Sequence, residues 1–560
     1  MTRNQISDWL LLLLLGLAIV FIPSAVGAQT VTVLYNFGTG ILDPLHPTYP
    51  GIIAQGSDGV LYSTAPGGGN YPQEGSVFSL TPSGQLTSLY SFGGTFVLNE
   101  GSIPVGGLTL GTDGNFYGTT SGGGIYGGGI VFKITPSGLL TKLYDFTGGS
   151  DGSGPMAPPI QGSDGNFYGT TYAGANNYGT VFKITPSGKF TTIHSFAFSE
   201  GSAPYAPLVQ GTDGNFYGTT TGGGSNGNLG TVFKITPAGK LTTLHSFDAV
   251  HGTSPYAPLI QGSDGNFYGT TFLGGSNGCG LVFKITTAGK FTVLYNFCPI
   301  TGCADGEHIL SGLVQGSDGN FFGVASSGGT AEGYGTIYKI SSTGAFSVLY
   351  AFDLPTGWTP VTLMQHTNGL LYGEATGGGT GSSIVCGSNC GTAYSLDVGL
   401  GPFVSFLRQQ SPAKVGGSIG IFGQGFAGAT GVSFGGTRAT FTVSSDTYLI
   451  TSVPAGALTG PITVETSGGS LTSNRTFRVT PQVKSFSPTS GTIATSVQIT
   501  GVSLAQTSRV SFGGVKATTF TVNSDTQVTA TVPTGAKTGR IAITTAGGTS
   551  TSATSFTVTP

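Results

Sequence analysis

One unit is written seven times between Val31 and Leu396, and that repetition limits this chain to a small set of folds. A block that opens as Leu-Tyr-Asn-Phe at 34–37 recurs at 89–92, 143–146, 193–196, 244–247, 294–297 and 349–352. A second block, Asp-Gly before an aromatic pair, starts at Asp58, Asp113, Asp164, Asp213, Asp264 and Asp318, with Asn368 in the seventh copy. Successive gaps are 55, 51, 49, 51, 54 and 50 residues. A period of this size belongs to propellers and other arrays, in which each unit buries its apolar surface only against its neighbours.

The copy from Pro255 to Phe297 shows what the unit is. Tyr256 to Gln261 reads as a short strand, Ser263-Asp264-Gly265 as a turn, and Asn266 to Thr271 as a second strand. Asp-Gly between two such runs is a hairpin signal, because glycine takes up the positive φ that the turn requires. A Gly-rich loop at 273–280 leads to a third strand at 281–286, and Ala288-Gly289 turns the chain into a fourth at 291–297. Four antiparallel strands make one propeller blade. Val31 to Phe37 matches a fourth strand and Thr392 to Leu396 a third, so these two are expected to pair. That pairing would close a seven-bladed β-propeller over residues 29–402 and remove two open strand edges.

Composition agrees with an exported all-β chain. Ninety-nine glycines in 560 residues fall at fixed offsets between aromatic and β-branched runs, as turn punctuation does. Charged residues are 8% of the chain and no 3.6-residue apolar period is visible, so no helix is expected after the leader. Residues 1–28 read as a signal peptide: Arg3, an apolar run from Trp9 to Ile22, then Val26-Gly27-Ala28. The run is short for a transmembrane helix, so a membrane is met only through an uncleaved leader.

Five cysteines in an exported chain favour disulfides, and Cys298 with Cys303 and Cys386 with Cys390 are close enough in sequence to join locally. Cys279 is left over. The two cysteine pairs are 83 residues apart (386 minus 303), which is not metal-ligand spacing, and no metal or other cofactor is expected.

Composition shifts after Pro402. Residues 403–480 and 481–560 are two copies of another module: Val432-Ser433-Phe434-Gly435-Gly436 matches Val510-Ser511-Phe512-Gly513-Gly514, and Ser445-Asp446 matches Ser524-Asp525. Their size and strand pattern suit an immunoglobulin-like β-sandwich. Ser487-Pro488-Thr489-Ser490-Gly491 and Phe556-Thr557-Val558 make the second copy resemble an IPT/TIG domain. The first resembles it through Gly423, Gly425, Phe426 and Phe477, although its Ser411-Pro412-Ala413-Lys414 opening departs from the usual pattern. The repeats resemble the GloVer tandem-repeat family of exported bacterial proteins, through Gly-Ser-Asp-Gly-Asn-Phe-Tyr-Gly-Thr-Thr (262–271) and Val-Phe-Lys-Ile-Thr-Pro (181–186). The resemblance implies a location at or beyond the cell surface and carries no reaction with it; IPT/TIG modules imply spacers or interaction domains.

Charge separates the halves. Residues 29–402 hold 9 Lys and Arg against 19 Asp and Glu, and residues 403–560 hold 10 against 3. No clustered basic and aromatic stripe is present, so nucleic acid is not an expected partner. Lys133, Lys183, Lys234, Lys284 and Lys339 recur in step with the turn aspartates, which predicts a repeated Lys–Asp contact.

Candidate ligand residues lie where the chain enters each innermost strand: Glu100, Asp151, Glu200, His251, Asp305, Glu307 and His308. They are expected to ring the mouth of the channel on the face with variable loops, where function usually resides. No catalytic residue is assigned. Chemistry in a repeat protein would sit at breaks in the repeat, which are His46, Glu307, His308, Trp358, His366 and Glu374. His194 and His245 replace tyrosine in the fourth strand and read as packing residues.

The expectation is a secreted, periplasmic or cell-surface binding protein, monomeric, with surface polysaccharide or another envelope protein as partner. The alternatives are a polysaccharide lyase or hydrolase at the channel mouth, and a structural envelope component. Mass spectrometry of the exported protein should find Gln29 as its first residue; an intact leader would show instead an uncleaved anchor.

Overall fold

A computed structural model describes residues 29–40, 43–47, 52–70, 74–93, 100–174, 176–299, 302–330, 332–383, 386–407 and 410–560. The leader read at 1–28 lies outside the described residues. Among the described residues there is no α-helix; the regular structure is β, with a 3-10 turn at Phe426–Gly428.

The repeat region contains seven four-stranded antiparallel sheets. The fifth is typical, with Ile260–Gln261, Phe267–Thr271, Leu281–Ile285 and Phe291–Asn296 side by side in chain order. Every residue of Phe267–Thr271 is buried, whereas Phe291–Asn296 is half exposed. A strand buried on both faces needs neighbours on both sides. The seventh sheet is assembled from both ends of the region: Trp358–Gln365, Leu371–Gly377 and Thr392–Leu396 are followed by Val31–Asn36. Val31 lies opposite Leu396 and Asn36 opposite Thr392, with a register shift between Val33 and Tyr35.

The aromatic pair of each repeat follows from strand geometry. Adjacent residues in a strand point to opposite faces, so one ring meets the sheet before and the other the sheet after. Tyr62 stacks on Phe116, Tyr117 on Phe167, Tyr168 on Phe216, Tyr217 on Phe267 and Tyr268 on Phe321, with centroids 3.7–4.1 Å apart. A second set joins the phenylalanine that follows each fourth strand to the third strand of the next sheet, edge to face. Phe92–Phe132, Phe146–Phe182, Phe196–Phe233, Phe247–Phe283, Phe297–Tyr338 and Phe352–Tyr394 step through the sheets, and Phe37–Phe78 joins the seventh to the first. Such pairs contribute about 0.5–1.5 kcal/mol each beyond the area they bury.

The turn aspartate serves the tyrosine. Tyr268 OH donates to Asp264 Oδ2 at 2.7 Å, and Asn266 Nδ2 donates to the same oxygen at 2.7 Å. Tyr62, Tyr117, Tyr168 and Tyr217 repeat the bond to Asp58, Asp113, Asp164 and Asp213. In the seventh copy the polarity reverses: Asn368 Nδ2 donates to Tyr372 OH. The expected Lys–Asp pair forms at Lys183–Asp164 and Lys234–Asp213. Lys284 instead donates to the Ser342 carbonyl. The aspartate recurs because a half-buried hydroxyl and a turn N–H need an acceptor, which an exposed ammonium does not.

A glutamine at the end of the innermost strand links neighbouring sheets. Gln261 Oε1 accepts from Thr212 N at 3.0 Å, and its Nε2 donates to the Gly265 carbonyl. Gln161, Gln210, Gln315 and Gln365 accept in the same way from the sheet before each, and Gln55 of the first sheet accepts from Thr367 N of the seventh. Leu110 replaces this glutamine in the second sheet. There the Ser57 carbonyl accepts instead from Ser445 Oγ and Thr447 Oγ1 of the first C-terminal module.

That module packs Ser405–Phe406, Ser418–Phe422, Tyr448–Ser452 and Phe441–Ser445 over a second sheet containing Gly431–Phe434 and Ile462–Thr466. Phe434 and Phe477 lie in its core. The second module repeats the arrangement around Phe512 and Phe556. Phe422, Tyr448 and Leu407 of the first module pack with Leu110 and Phe116 of the repeats. Removing residues 29–37 should therefore lower the melting temperature by 5 °C or more (roughly 2 kcal/mol or more) and promote self-association through the bared edge. Calorimetry and light scattering would check this; an unchanged melt would show that Val31–Asn36 does not hold the seventh sheet.

Candidate functional site

The two faces of the repeat region are built differently. One carries the Asp-Gly turns and receives the first sandwich. The other carries the loops between second and third strands and the segments that enter each innermost strand. Every entry segment has a left-handed residue at one position: His46, Ile103, Gly154, Ala203, Ser254, His308 or Thr359, with φ of 51–61°. Positive φ is rare for a β-branched side chain. Here it aims the N–H at a carbonyl of the preceding sheet's loop, as in Ala203 to Tyr178, Ser254 to Leu229, His308 to Cys279 and Thr359 to Tyr334, all at 3.0–3.1 Å. Short bridges then tie each segment to its own loop, as at Ser202–Gly222, Thr253–Leu273 and Glu307–Ser327. The described parts of these loops are consequently tied to one another from sheet to sheet.

On this scaffold stands a row of rings. Tyr172 meets Tyr205 with centroids 6.2 Å apart, Tyr205 meets Tyr256 at 5.4 Å, Tyr256 meets Phe272 at 5.6 Å, and Phe272 stacks on His308 at 4.9 Å. The row crosses four successive sheets. Tyr172 is exposed and the other four are half-buried. Exposed Tyr126, Phe198 and Val250 lie on other loops of the same face, and exposed Trp358 begins the first strand of the seventh sheet. Of the row, only His308 was singled out from sequence. The available signal was Pro-Tyr-Ala-Pro-Leu, written at 204–208 and again at 255–259.

The acidic candidates stand beside the fourth strand of their own junctions. Asp151 is buried and accepts from Thr147 N at 2.7 Å, from Thr147 Oγ1 and from Tyr144 OH at 3.0 Å; its hydrogen bonds hold the carboxyl below the usual range. Glu200 accepts from Ala197 N and pairs with His194 Nε2, each at 3.0 Å. Asp305 accepts from Tyr295 OH and Cys298 N. Glu100 bonds the Tyr90 hydroxyl, which burial and then this carboxylate push up to about 12. His251 pairs with Asp248 at 2.9 Å and faces His245, whose ring burial drives toward the neutral form. The structure brings together Glu307 and His308, with Nδ1 of the histidine 3.8 Å from a carboxylate oxygen and 3.0 Å from Ser327 Oγ. None of these side chains lines the large cavity described below.

The other repeat breaks have local explanations. His366 is buried, accepts from Asn368 N through Nδ1 and reaches the Gly59 carbonyl through Nε2 at 3.0 Å, so burial keeps it neutral. His46 Nδ1 meets the Thr376 carbonyl, and the Trp358 ring lies against Gly377. Glu374 is buried between the seventh and first sheets with Ser63 Oγ at 3.4 Å, and desolvation raises its pKa to about 8. Disulfides join Cys298 to Cys303 and Cys386 to Cys390, and Cys279 is a free thiol.

A cavity of about 760 Å³ lies on the opposite face, between the inner ends of the repeat sheets and the sandwich modules. Gln161, Gln210 and Gln261 line it from one side and Phe406, Arg475 and Arg478 from the other. The side chains of these glutamines already accept from the sheet before and donate to the turn of their own sheet.

Seven repeated four-stranded sheets followed by two sandwiches define an all-β tandem-repeat protein with an appended pair of sandwich modules. The chain belongs to the Gloeobacter/Verrucomicrobia repeat family, matched over 19–208 and 159–388, and carries two IPT/TIG domains at 403–479 and 481–558. None of the curated proteins compared with the chain matches it. Among solved structures it is similar to a fungal alcohol oxidase of the AA5 family in complex with copper, at 13% identity and a TM-score of 0.48, covering 81% of this chain and 99% of that one. A gluconolactonase from Xanthomonas campestris aligns at 11% identity and a TM-score of 0.34, covering 66% and 90%. A surface glycan-binding protein from Prevotella bryantii aligns at 19% identity and 0.21 over 28% of this chain, which spans 41% of that protein's length. Scores this low say nothing about what the chain binds or does.

Glu374 generates a pH prediction. Its folded pKa of about 8 lies above the ordinary glutamate value of 4.5, so the folded state holds the proton more tightly. No stability is lost below the unfolded value, and the loss grows as pH rises until it levels off near the folded value. Glu374→Gln should therefore stabilise the protein by about 3 kcal/mol at pH 7 and hardly at all at pH 4. Denaturant melts at the two pH values measure the difference; equal effects at both would mean the carboxyl is not desolvated.

Proposed function

We propose that the seven sheets are the blades of one closed propeller, that the chain is exported, and that its variable-loop face binds carbohydrate while the IPT/TIG modules act as spacers. Closure is supported by the pairing of Val31–Asn36 with Thr392–Leu396 and by three independent links from the seventh sheet to the first, at Phe37–Phe78, Thr367–Gln55 and His46–Cys390. Export to an oxidising compartment is supported by the two disulfides.

The observation that carries the ligand class is the ring row from Tyr172 to His308. Pyranose rings present C–H faces that pack on aromatic surfaces, and tyrosine adds a hydroxyl for the sugar's own hydroxyls. A row crossing four blades suits an extended polysaccharide. Rigid loops lower the ordering entropy that binding costs. The neighbouring carboxylates Glu100, Asp151, Glu200 and Asp305 and the His251–Asp248 pair brace these loops, and Glu307 with His308 stands at one end of the row.

A glycan array combined with a turnover assay tests the reading. Binding without turnover is expected, and Tyr205→Ala or Tyr256→Ala should each weaken it about tenfold, the equivalent of about 1.4 kcal/mol, while Lys516→Ala on the second sandwich leaves it unchanged. Retention of no glycan, or tyrosine variants that bind like the parent, would refute carbohydrate recognition by this face. Turnover would favour the lyase or hydrolase reading instead.

A further inference from the structure

Cys279 lies in the loop between the second and third strands of the fifth sheet, and Cys298, Cys303 and Glu307 lie in the segment that joins the fifth sheet to the sixth. The three sulfurs and the Glu307 carboxylate fall within 4.8 Å of one another. Cys279 Sγ is 4.0 Å from Cys303 Sγ, and Glu307 Oε2 is 3.8 Å from Cys298 Sγ. In a tetrahedral thiolate site with metal–sulfur bonds of about 2.3 Å, neighbouring ligand atoms stand about 3.8 Å apart. Two of the separations in this cluster already have that size.

We propose that, once the Cys298–Cys303 bond is reduced, Cys279, Cys298, Cys303 and Glu307 together bind one divalent ion of the zinc class. The disulfide present in the structure defines the metal-free state. A phosphine reductant with one water breaks the S–S bond, supplies two electrons and two protons to give two thiols, and leaves as phosphine oxide. Metal binding then releases the three thiol protons to solvent. Three thiolates with one carboxylate form a closed four-coordinate donor set suited to zinc.

The scaffold around the cluster favours this use. His308 N donates to the Cys279 carbonyl at 3.1 Å, Gly306 N to the Cys303 carbonyl at 2.9 Å and Glu307 N to the Ser327 carbonyl at 2.8 Å, so Cys279, Cys303 and Glu307 are tied to the backbone without the disulfide. His308 Nδ1, 3.8 Å from Glu307, can orient the carboxylate from outside the ligand set. All four residues are half exposed, which leaves an entry path.

The test uses the full chain, reduced with a phosphine, desalted without oxygen and titrated with Co2+ and then Zn2+. The expected result is one equivalent of Co2+ with thiolate charge-transfer bands and the intense visible bands of tetrahedral cobalt, displaced one for one by Zn2+. Cys279→Ser and Glu307→Gln should weaken uptake at least about tenfold, whereas a Cys386→Ser, Cys390→Ser double variant keeps it and the disulfide form takes up none. Melting curves of each variant separate a lost ligand from a lost fold. No stoichiometric uptake, a six-coordinate spectrum, or parental affinity in Cys279→Ser would overturn the proposal.

Discussion

The contact on which the rest depends is a tyrosine ring of one sheet lying on an aromatic ring of the next. Because side chains alternate across a strand, Phe267 and Tyr268 can each serve a different neighbour, and one two-residue motif supplies both sides of the junctions from the second sheet to the sixth. The turn aspartate takes the tyrosine hydroxyl, so the ring is buried without leaving its polar end unpaired. With a single such scheme repeated, no sheet has a core of its own; each buries its strands only because its neighbours are present.

Some departures from the scheme fall on the seam with the first sandwich. Leu110 replaces a linking glutamine, and Phe422 and Tyr448 of the first sandwich pack into the same cluster. Thr367 accepts from Gln55 and from Gln424 of the sandwich, and its hydroxyl reaches the Gly423 carbonyl. His366 and Asn368 flank it. Of these positions only His366 reads in sequence as a place for chemistry, and the structure shows it bonded to the Gly59 carbonyl and Asn368 N beside the docked sandwich. Glu374, closed off between two sheets, is instead a carboxyl whose protonated form burial favours.

The opposite face keeps the regular scheme and adds variation in its loops. The left-handed residue of each entry segment tolerates His, Ile, Gly, Ala, Ser and Thr because what matters there is the direction of its N–H, not its side chain. Side chains one or two residues further on are thereby free to differ. Tyr205 and Tyr256 occupy that position in the fourth and fifth sheets, and rings from three neighbouring loops join them.

The period, the four strands of each unit, the hairpin turns and the doubling of the sandwich were all legible in the chain, because each is set by local spacing of aromatic, β-branched and turn residues. The recurring acidic residues were legible too, but not their partners. A residue before glycine in a loop can face a ligand, a neighbouring strand or its own backbone, and only packing selects among these; here Asp151 and Glu200 face their own junctions. The ring row, the gathering of Cys279 with Cys298, Cys303 and Glu307, and the seating of the sandwich on Ser57 and Thr367 join residues from different repeats or different modules. Sequence alone determined which unit would be repeated. Tertiary structure decided which side chains of different units would meet, since that depends on the twist and register of whole sheets and not on any local pattern.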